Sequence, residues 1–125
     1  MAQRPPSILV VDDSGFTREL MTLFLRQRGY DVRLANDGTT ALNMLIIHRP
    51  DIVLLDIAIP GIDGFSLCRK IREDAILREI KVILFTAMDY GDNAEKARQA
   101  GADAYLSKPI VHENLLAALK SVEPH

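Results

Sequence analysis

Three apolar runs and one last short strand pattern in this 125-residue chain stop on residues able to do chemistry. Ile8-Leu9-Val10-Val11 ends on Asp12 and Asp13, Ile52-Val53-Leu54-Leu55 on Asp56, Val82-Ile83-Leu84-Phe85 on Thr86, and Ala104-Tyr105-Leu106-Ser107 on Lys108 and Pro109. If the runs are neighbouring strands, three carboxylates converge, which is tolerable only when protons or a cation compensate. An oxygen-rich cluster without sulfur suits Mg²⁺, which takes a few carboxylates, keeps waters and accepts a phosphate oxygen. Thr86 adds a neutral donor and Lys108 a point positive charge suited to phosphate. Cation, hydroxyl and lysine together describe a phosphoryl site, in which an aspartate is the nucleophile and forms an acyl phosphate. Asp56 is the candidate nucleophile because it stands alone at its strand end. For an isolated aspartate, a plain turn role would compete on even terms.

The runs themselves say what must position these groups. Four consecutive apolar residues leave no solvent face, the habit of a parallel strand covered by helices on both sides. Between the runs lie helical segments with recognisable ends. Ser14 caps a helix reaching Arg28, with Phe16, Leu20, Phe24, Met21 and Leu25 at helical spacing and Gly29 beyond its end. Asp31 to Ala35 alternates like an edge strand, and Asp37 caps a helix carrying the pairs Ala41/Leu45 and Leu42/Ile46, which stops before Pro50. Pro60-Gly61 has the order of a type II turn, and Asp63 caps a helix that turns Phe65, Cys68 and Ile71 inward and Arg69, Lys70 and Arg72 to solvent. Asp92 to Ala100 is a weak helix with only Ala94 and Ala97 inside, and Leu115, Leu116, Leu119 and Val122 mark the last helix.

Five strand-helix units with short connections predict right-handed crossovers and an α/β fold: a three-layer, doubly wound, five-stranded parallel sheet of flavodoxin-like type. The sequence does not fix the strand order. The order 2-1-3-4-5 fits the length and puts strands one and three at the switch point, where ligands gather.

Length bounds the chain to a single domain, residues 1–125, with its core at about 7–122. A formal charge of -2 gives no reason to expect nucleic acid or a membrane surface as a partner of this domain. The lone cysteine, Cys68, excludes an internal disulfide framework and a multi-cysteine zinc site, and reads as a small core residue. Met1 to Pro6 is too short for a signal-peptide core, so a cytoplasmic location is expected. His48 and His112 read as solvated helix ends, and Met21 and Met44 as core filling.

Taken jointly, Val10-Val11-Asp12-Asp13, Leu54-Leu55-Asp56, Pro60-Gly61-Ile62-Asp63-Gly64, Thr86-Ala87 and Lys108-Pro109 resemble the receiver domain of two-component response regulators, chemotaxis regulators among them. The likeness runs from about Ile8 to Val122. It implies that Asp56 accepts phosphate from a histidine kinase or phosphotransfer protein. It also implies that Asp13 and Asp56 ligate Mg²⁺ directly, Asp12 through water, and Ala58 by its backbone carbonyl. Thr86 would bond a phosphoryl oxygen, Lys108 would pair with it, Lys108-Pro109 would be cis, and Tyr105 would be the aromatic switch residue. Phosphorylation would then alter the face formed by the fourth helix, fifth strand and fifth helix, which would meet a downstream protein; the chain would be a monomer or weak dimer, and a signalling phosphoacceptor rather than an enzyme.

The sequence departs from the commonest pattern of that family beside the nucleophile. Ala58 stands two residues after Asp56 and Met88 two after Thr86, so neither offers an amide or acid to orient water, and slow self-dephosphorylation is expected. A phosphatase of the haloacid dehalogenase type would need an acid where Ala58 sits. A flavodoxin-like cofactor domain would need a glycine- or hydroxyl-rich phosphate loop, and no G-x-G-x-x-G occurs. An unphosphorylated interaction module is disfavoured because all five site residues are present.

Overall fold

A computed structural model describes residues 5–87 and 92–122. Strands and helices alternate: β1 (Ser7–Val11), α1 (Gly15–Gln27), β2 (Asp31–Ala35), α2 (Gly38–His48), β3 (Ile52–Asp56), α3 (Gly64–Glu73), β4 (Lys81–Thr86), α4 (Asn93–Ala100), β5 (Ala104–Ser107) and α5 (His112–Val122). All five strands are parallel, in the order β2-β1-β3-β4-β5. This is the doubly wound, flavodoxin-like fold that the sequence predicts. Among the described residues, no helix is long and apolar enough to cross a membrane.

Side chains of successive strand residues point to opposite faces, so each buried strand feeds two cores. Ile8, Val10, Leu54, Ile83 and Phe85 pack with α1 and α5, while Leu9, Val11, Val53, Leu55 and Leu84 pack with α2, α3 and α4. β3 is buried along its whole length, and β2, at the sheet edge, keeps only Val32 and Ala35 buried.

The register delivers the polar residues together. Val11 pairs with Leu55, so Asp12 leaves β1 beside Asp56 at the end of β3. Asp56 in turn pairs with Phe85, the residue before Thr86, and Thr86 pairs with Ser107, the residue before Lys108. Ser14, Asp37 and Asp63 cap α1, α2 and α3 as expected, accepting from the backbone N–H of Thr17, Thr40 and Ser66. Gly61 has φ 80, as the second central residue of a type II turn requires, and the Lys108-Pro109 peptide is cis.

Several helical faces are rotated from the reading above. In α1 the buried stripe is Met21, Phe24 and Leu25, whereas Phe16 and Leu20, on the flank of that stripe, are exposed. Ile46 in α2 is exposed, because Ala41 and Leu45 already fill the contact with the sheet, whereas Met44 is half-buried and packs against the core as expected. α4 turns Asn93, Ala97 and Ala100 inward, leaving Ala94 exposed one step off that face. Arg49, before Pro50, leaves right-handed helical geometry as expected and ends α2 in the left-handed region at φ 46. His112 is exposed but also packs its ring 4.2 Å from that of Phe24. Leu67 and Ala118, which the sequence reading passes over, are core residues of α3 and α5.

Candidate functional site

Asp56 closes a strand with no exposed residue, and its carboxyl group is held at both oxygens. Oδ1 accepts the backbone N–H of Ala58 at 3.0 Å, and Oδ2 accepts Lys108 Nζ at 3.1 Å. Lys108 reaches further, to Oδ2 of Asp12 at 2.7 Å, while Oδ1 of Asp12 accepts the N–H of Ser14 at 2.8 Å. The same ammonium lies 5.2 Å from the centre of the Phe85 ring. Its backbone N–H donates to the carbonyl of Thr86 at 2.8 Å, which ties the end of β5 to the end of β4.

One oxygen each from Asp12, Asp13 and Asp56 lie within 4.8 Å of one another. Asp12 and Asp56 are buried and Asp13 is exposed, so the cluster opens to solvent on the Asp13 side. Burial pushes the Asp56 carboxyl above its ordinary value; the Ala58 N–H and Lys108 work against that rise, and the charge of Asp12 adds to it. For Lys108, burial alone would favour the neutral amine. Its hydrogen bonds to Asp12 and Asp56 outweigh that cost and raise its pKa, so the site keeps a fixed positive charge. Thr86 is buried at the end of β4, and Tyr105, across from Leu84 in β5, is half-buried against the core under α2, α3 and α4. Met88 lies outside the described residues.

The loop behind Asp56 is held by glycines whose role the sequence reading missed. Gly64 donates its N–H to Ile57 O at 2.9 Å, and a Cβ there would stand 2.6 Å from Ile57 Cα and 2.7 Å from the carbonyl oxygen of Asp56. Gly38 donates to Pro60 O at 2.9 Å, and a Cβ there would stand 2.1 Å from the carbonyl oxygen of Ile62. The loop 57–63 is therefore pressed between the first turns of α2 and α3. A signal existed: an Asp cap is followed by glycine in both Asp37-Gly38 and Asp63-Gly64, and glycine so placed weakens a helix unless something must approach closely. Arg18, also missed, donates from Nη1 to the backbone oxygen of Asp12 at 2.6 Å and ties α1 to the acidic loop.

The fold and the carboxylate-lysine cluster meet in the comparisons with known proteins. A family model described as the response regulator receiver domain matches residues 8–120, and the chain belongs to that family, whose members work in two-component signalling. It is 42% identical over 115 residues to the response regulator PleD of Caulobacter vibrioides, covering 92% of this chain and 25% of that protein. To the response regulator MprA of a Mycobacterium species it is 39% identical over 118 residues, covering 94% of this chain and 50% of that one. The chain thus spans a quarter to a half of the length of these curated relatives. Among solved structures, a response regulator from Chloroflexus aurantiacus superposes with a TM-score of 0.88 at 32% identity, covering 94% of this chain and 98% of that one. Chemotaxis protein CheY4 of Vibrio cholerae gives 0.87 at 28% identity, with 95% and 99% covered.

Proposed function

We propose that this chain is a phosphoacceptor receiver, in which Asp56 takes a phosphoryl group from the phosphohistidine of a histidine kinase or phosphotransfer protein. The observation that carries this reading is the contact of Lys108 with both Asp12 and Asp56 at the carboxyl edge of the sheet. A carboxylate buried for structural reasons alone has no need of a second acid beside it.

An all-oxygen set of three carboxylates opening to solvent on one side fits Mg²⁺. Asp13 and Asp56 would hold it directly, with Ala58 contributing its carbonyl. Asp12, whose oxygens accept the N–H of Ser14 and the Lys108 ammonium, would act through water. When bound, Mg²⁺ offsets negative charge on the transferring group. In the transfer, an Asp56 oxygen forms the new bond to phosphorus, the donor's P–N bond breaks, and its electron pair stays on the imidazole nitrogen. Lys108, already poised against Asp56 Oδ2, turns to the incoming phosphoryl oxygens, and the Thr86 hydroxyl donates to another.

The new group brings close to two negative charges and three acceptors into a site that had one carboxylate there. Drawing the Thr86 hydroxyl inward vacates space beside β4 into which Tyr105 turns, and the α4-β5-α5 face becomes the output surface for a downstream protein. Phosphorylation need only favour a state already populated. This reading makes residues 1–125 one receiver domain with core 7–122, a monomer or weak dimer acting in the cytoplasm, and not an enzyme on other substrates. Incubation with a small phosphodonor and Mg²⁺, followed by intact-mass measurement, tests it: wild type gains one phosphoryl group, and Asp56→Ala gains none. An equal gain in Asp56→Ala sinks it.

A further inference from the structure

Arg72 was expected on the solvated face of α3, yet it is half-buried and every polar atom of its head is used. Nε donates to the carbonyl of Gly101 at 2.7 Å, and Nη1 to those of Ile80 at 2.6 Å and Arg78 at 2.9 Å. Nη2 meets Asp103 Oδ2 at 2.6 Å, and that oxygen also accepts the N–H of Val82 at 2.8 Å. One planar fork therefore joins α3, the turn before β4, the start of β4, the end of α4 and the approach to β5. Gly101 closes α4 at φ 95, and a Cβ there would lie 2.7 Å from Arg72 Cγ, so the arginine stem packs directly against the helix end. Cys68 adds a second tie, its Sγ donating to Ala100 O at 3.3 Å; burial pushes that thiol up to about 11, which keeps it a donor.

The opposite end of α4 is held differently. Among the described residues its cap, Asp92, makes no side-chain capping bond, and Asn93 in its first turn is buried. The ion pairs Lys96–Asp92 and Arg98–Glu95 are exposed and lie within the segment itself, so they travel with it. That end follows β4, whose last residue is Thr86, while Arg72 sits at the far edge of the sheet.

We propose that Arg72 is the fixed pivot of α4: events at Asp56 and Thr86 swing the first turns of the helix, while the fork on Gly101 and Asp103 holds its last turn in place. The proposal rests on the phosphoacceptor reading of Asp56 and says how its signal becomes a rotation of α4 instead of a displacement of the whole helix. Arg72 is a positioning residue, acting through the carbonyls it holds. Arg72→Lys keeps the charge and loses the fork.

Amide hydrogen exchange on the full chain tests this, with and without Mg²⁺ and beryllofluoride as a phosphoryl stand-in. Without the activator, amides of residues 100–103 in Arg72→Lys exchange about tenfold faster than in wild type, while those of β3, which report global unfolding, are unchanged. Asp103→Asn, which keeps an acceptor for the Val82 N–H, does the same in smaller measure. With the activator, the change in wild type is confined to the first turns of α4 and in Arg72→Lys spreads to residues 100–103. A wild-type change as large at Gly101 and Ala102 as at Ala94 to Lys96, or an Arg72→Lys profile identical to wild type, overturns the pivot. The phosphoryl mass gain at Asp56, measured on the same samples, reports on the acceptor reading separately; if that fails, the comparison without activator still decides the anchor.

Discussion

Lys108 Nζ lies 2.7 Å from Asp12 Oδ2, a bond between residues 96 apart in the chain that joins the two strands flanking β3 and β4 to one charge. With the bond to Asp56 at 3.1 Å, one cation compensates two buried carboxylates. Lys108→Met leaves both uncompensated. In urea unfolding with a chelator present, it lowers stability by about 2 kcal/mol, and adding Asp12→Asn restores most of the loss. Equal stability of Lys108→Met and wild type contradicts the compensating role.

Gly38 and Gly15 both open helices, but only one is crowded. A Cβ at Gly38 would meet a backbone oxygen at 2.1 Å, whereas at Gly15 the nearest atom is the end of Arg18 at 3.7 Å. Gly38→Ala therefore costs about 1–3 kcal/mol and slows phosphorylation, because the loop behind Asp56 must shift. Gly15→Ala stays within about 0.5 kcal/mol of wild type or gains slightly. Denaturant midpoints and phosphodonor rates measured on the pair check both.

The α3 cap carries a pH signature. Burial alone would raise the Asp63 carboxyl, but the Ser66 backbone N–H at 3.0 Å and hydroxyl at 2.8 Å outweigh it and hold its pKa below the ordinary carboxylate value. A depressed folded-state pKa contributes stability that is present above the unfolded value and lost as pH falls through the folded one. Wild type thus exceeds Asp63→Asn by about 0.5 kcal/mol near neutrality, and the gap closes as pH falls below the ordinary carboxylate range. A gap independent of pH, followed by urea titrations across that range, counts against the charged cap.

Ala58 is exposed beside the nucleophile and carries no group able to orient water. Ala58→Asn supplies one and shortens the acyl-phosphate lifetime about tenfold; Met88→Glu acts in the same direction. Decay followed by intact mass after removal of the phosphodonor tests this, and equal lifetimes in all three proteins end the idea.

The parts of this molecule written in single residues were legible beforehand. Apolar runs ending on Asp12, Asp56 and Thr86 gave strands, order of exit and convergence, because a fully buried parallel strand tolerates no polar residue until it leaves the sheet. Ser14, Asp37 and Asp63 announced their helices for an equally local reason. What escaped depends on contacts between distant segments. The faces of α1 and α4 were misjudged at Phe16, Leu20 and Ala94 because periodicity gives a stripe's spacing but not its width against the sheet. Gly38 and Gly64 matter only because a loop from elsewhere presses on them, and Arg72 only because four carbonyl and carboxylate groups from three segments meet its fork.

The most direct measurement of the central claim locates the phosphoryl group. The protein is phosphorylated with a small donor and Mg²⁺, reduced with borohydride so that an acyl phosphate leaves a homoserine, digested, and read by peptide mass spectrometry. The predicted result is homoserine at position 56 alone, dependent on Mg²⁺ and absent from Asp56→Ala. Reduction at Asp12 or Asp13 in wild type, or no reduced residue at all under conditions that add the phosphoryl mass, contradicts it.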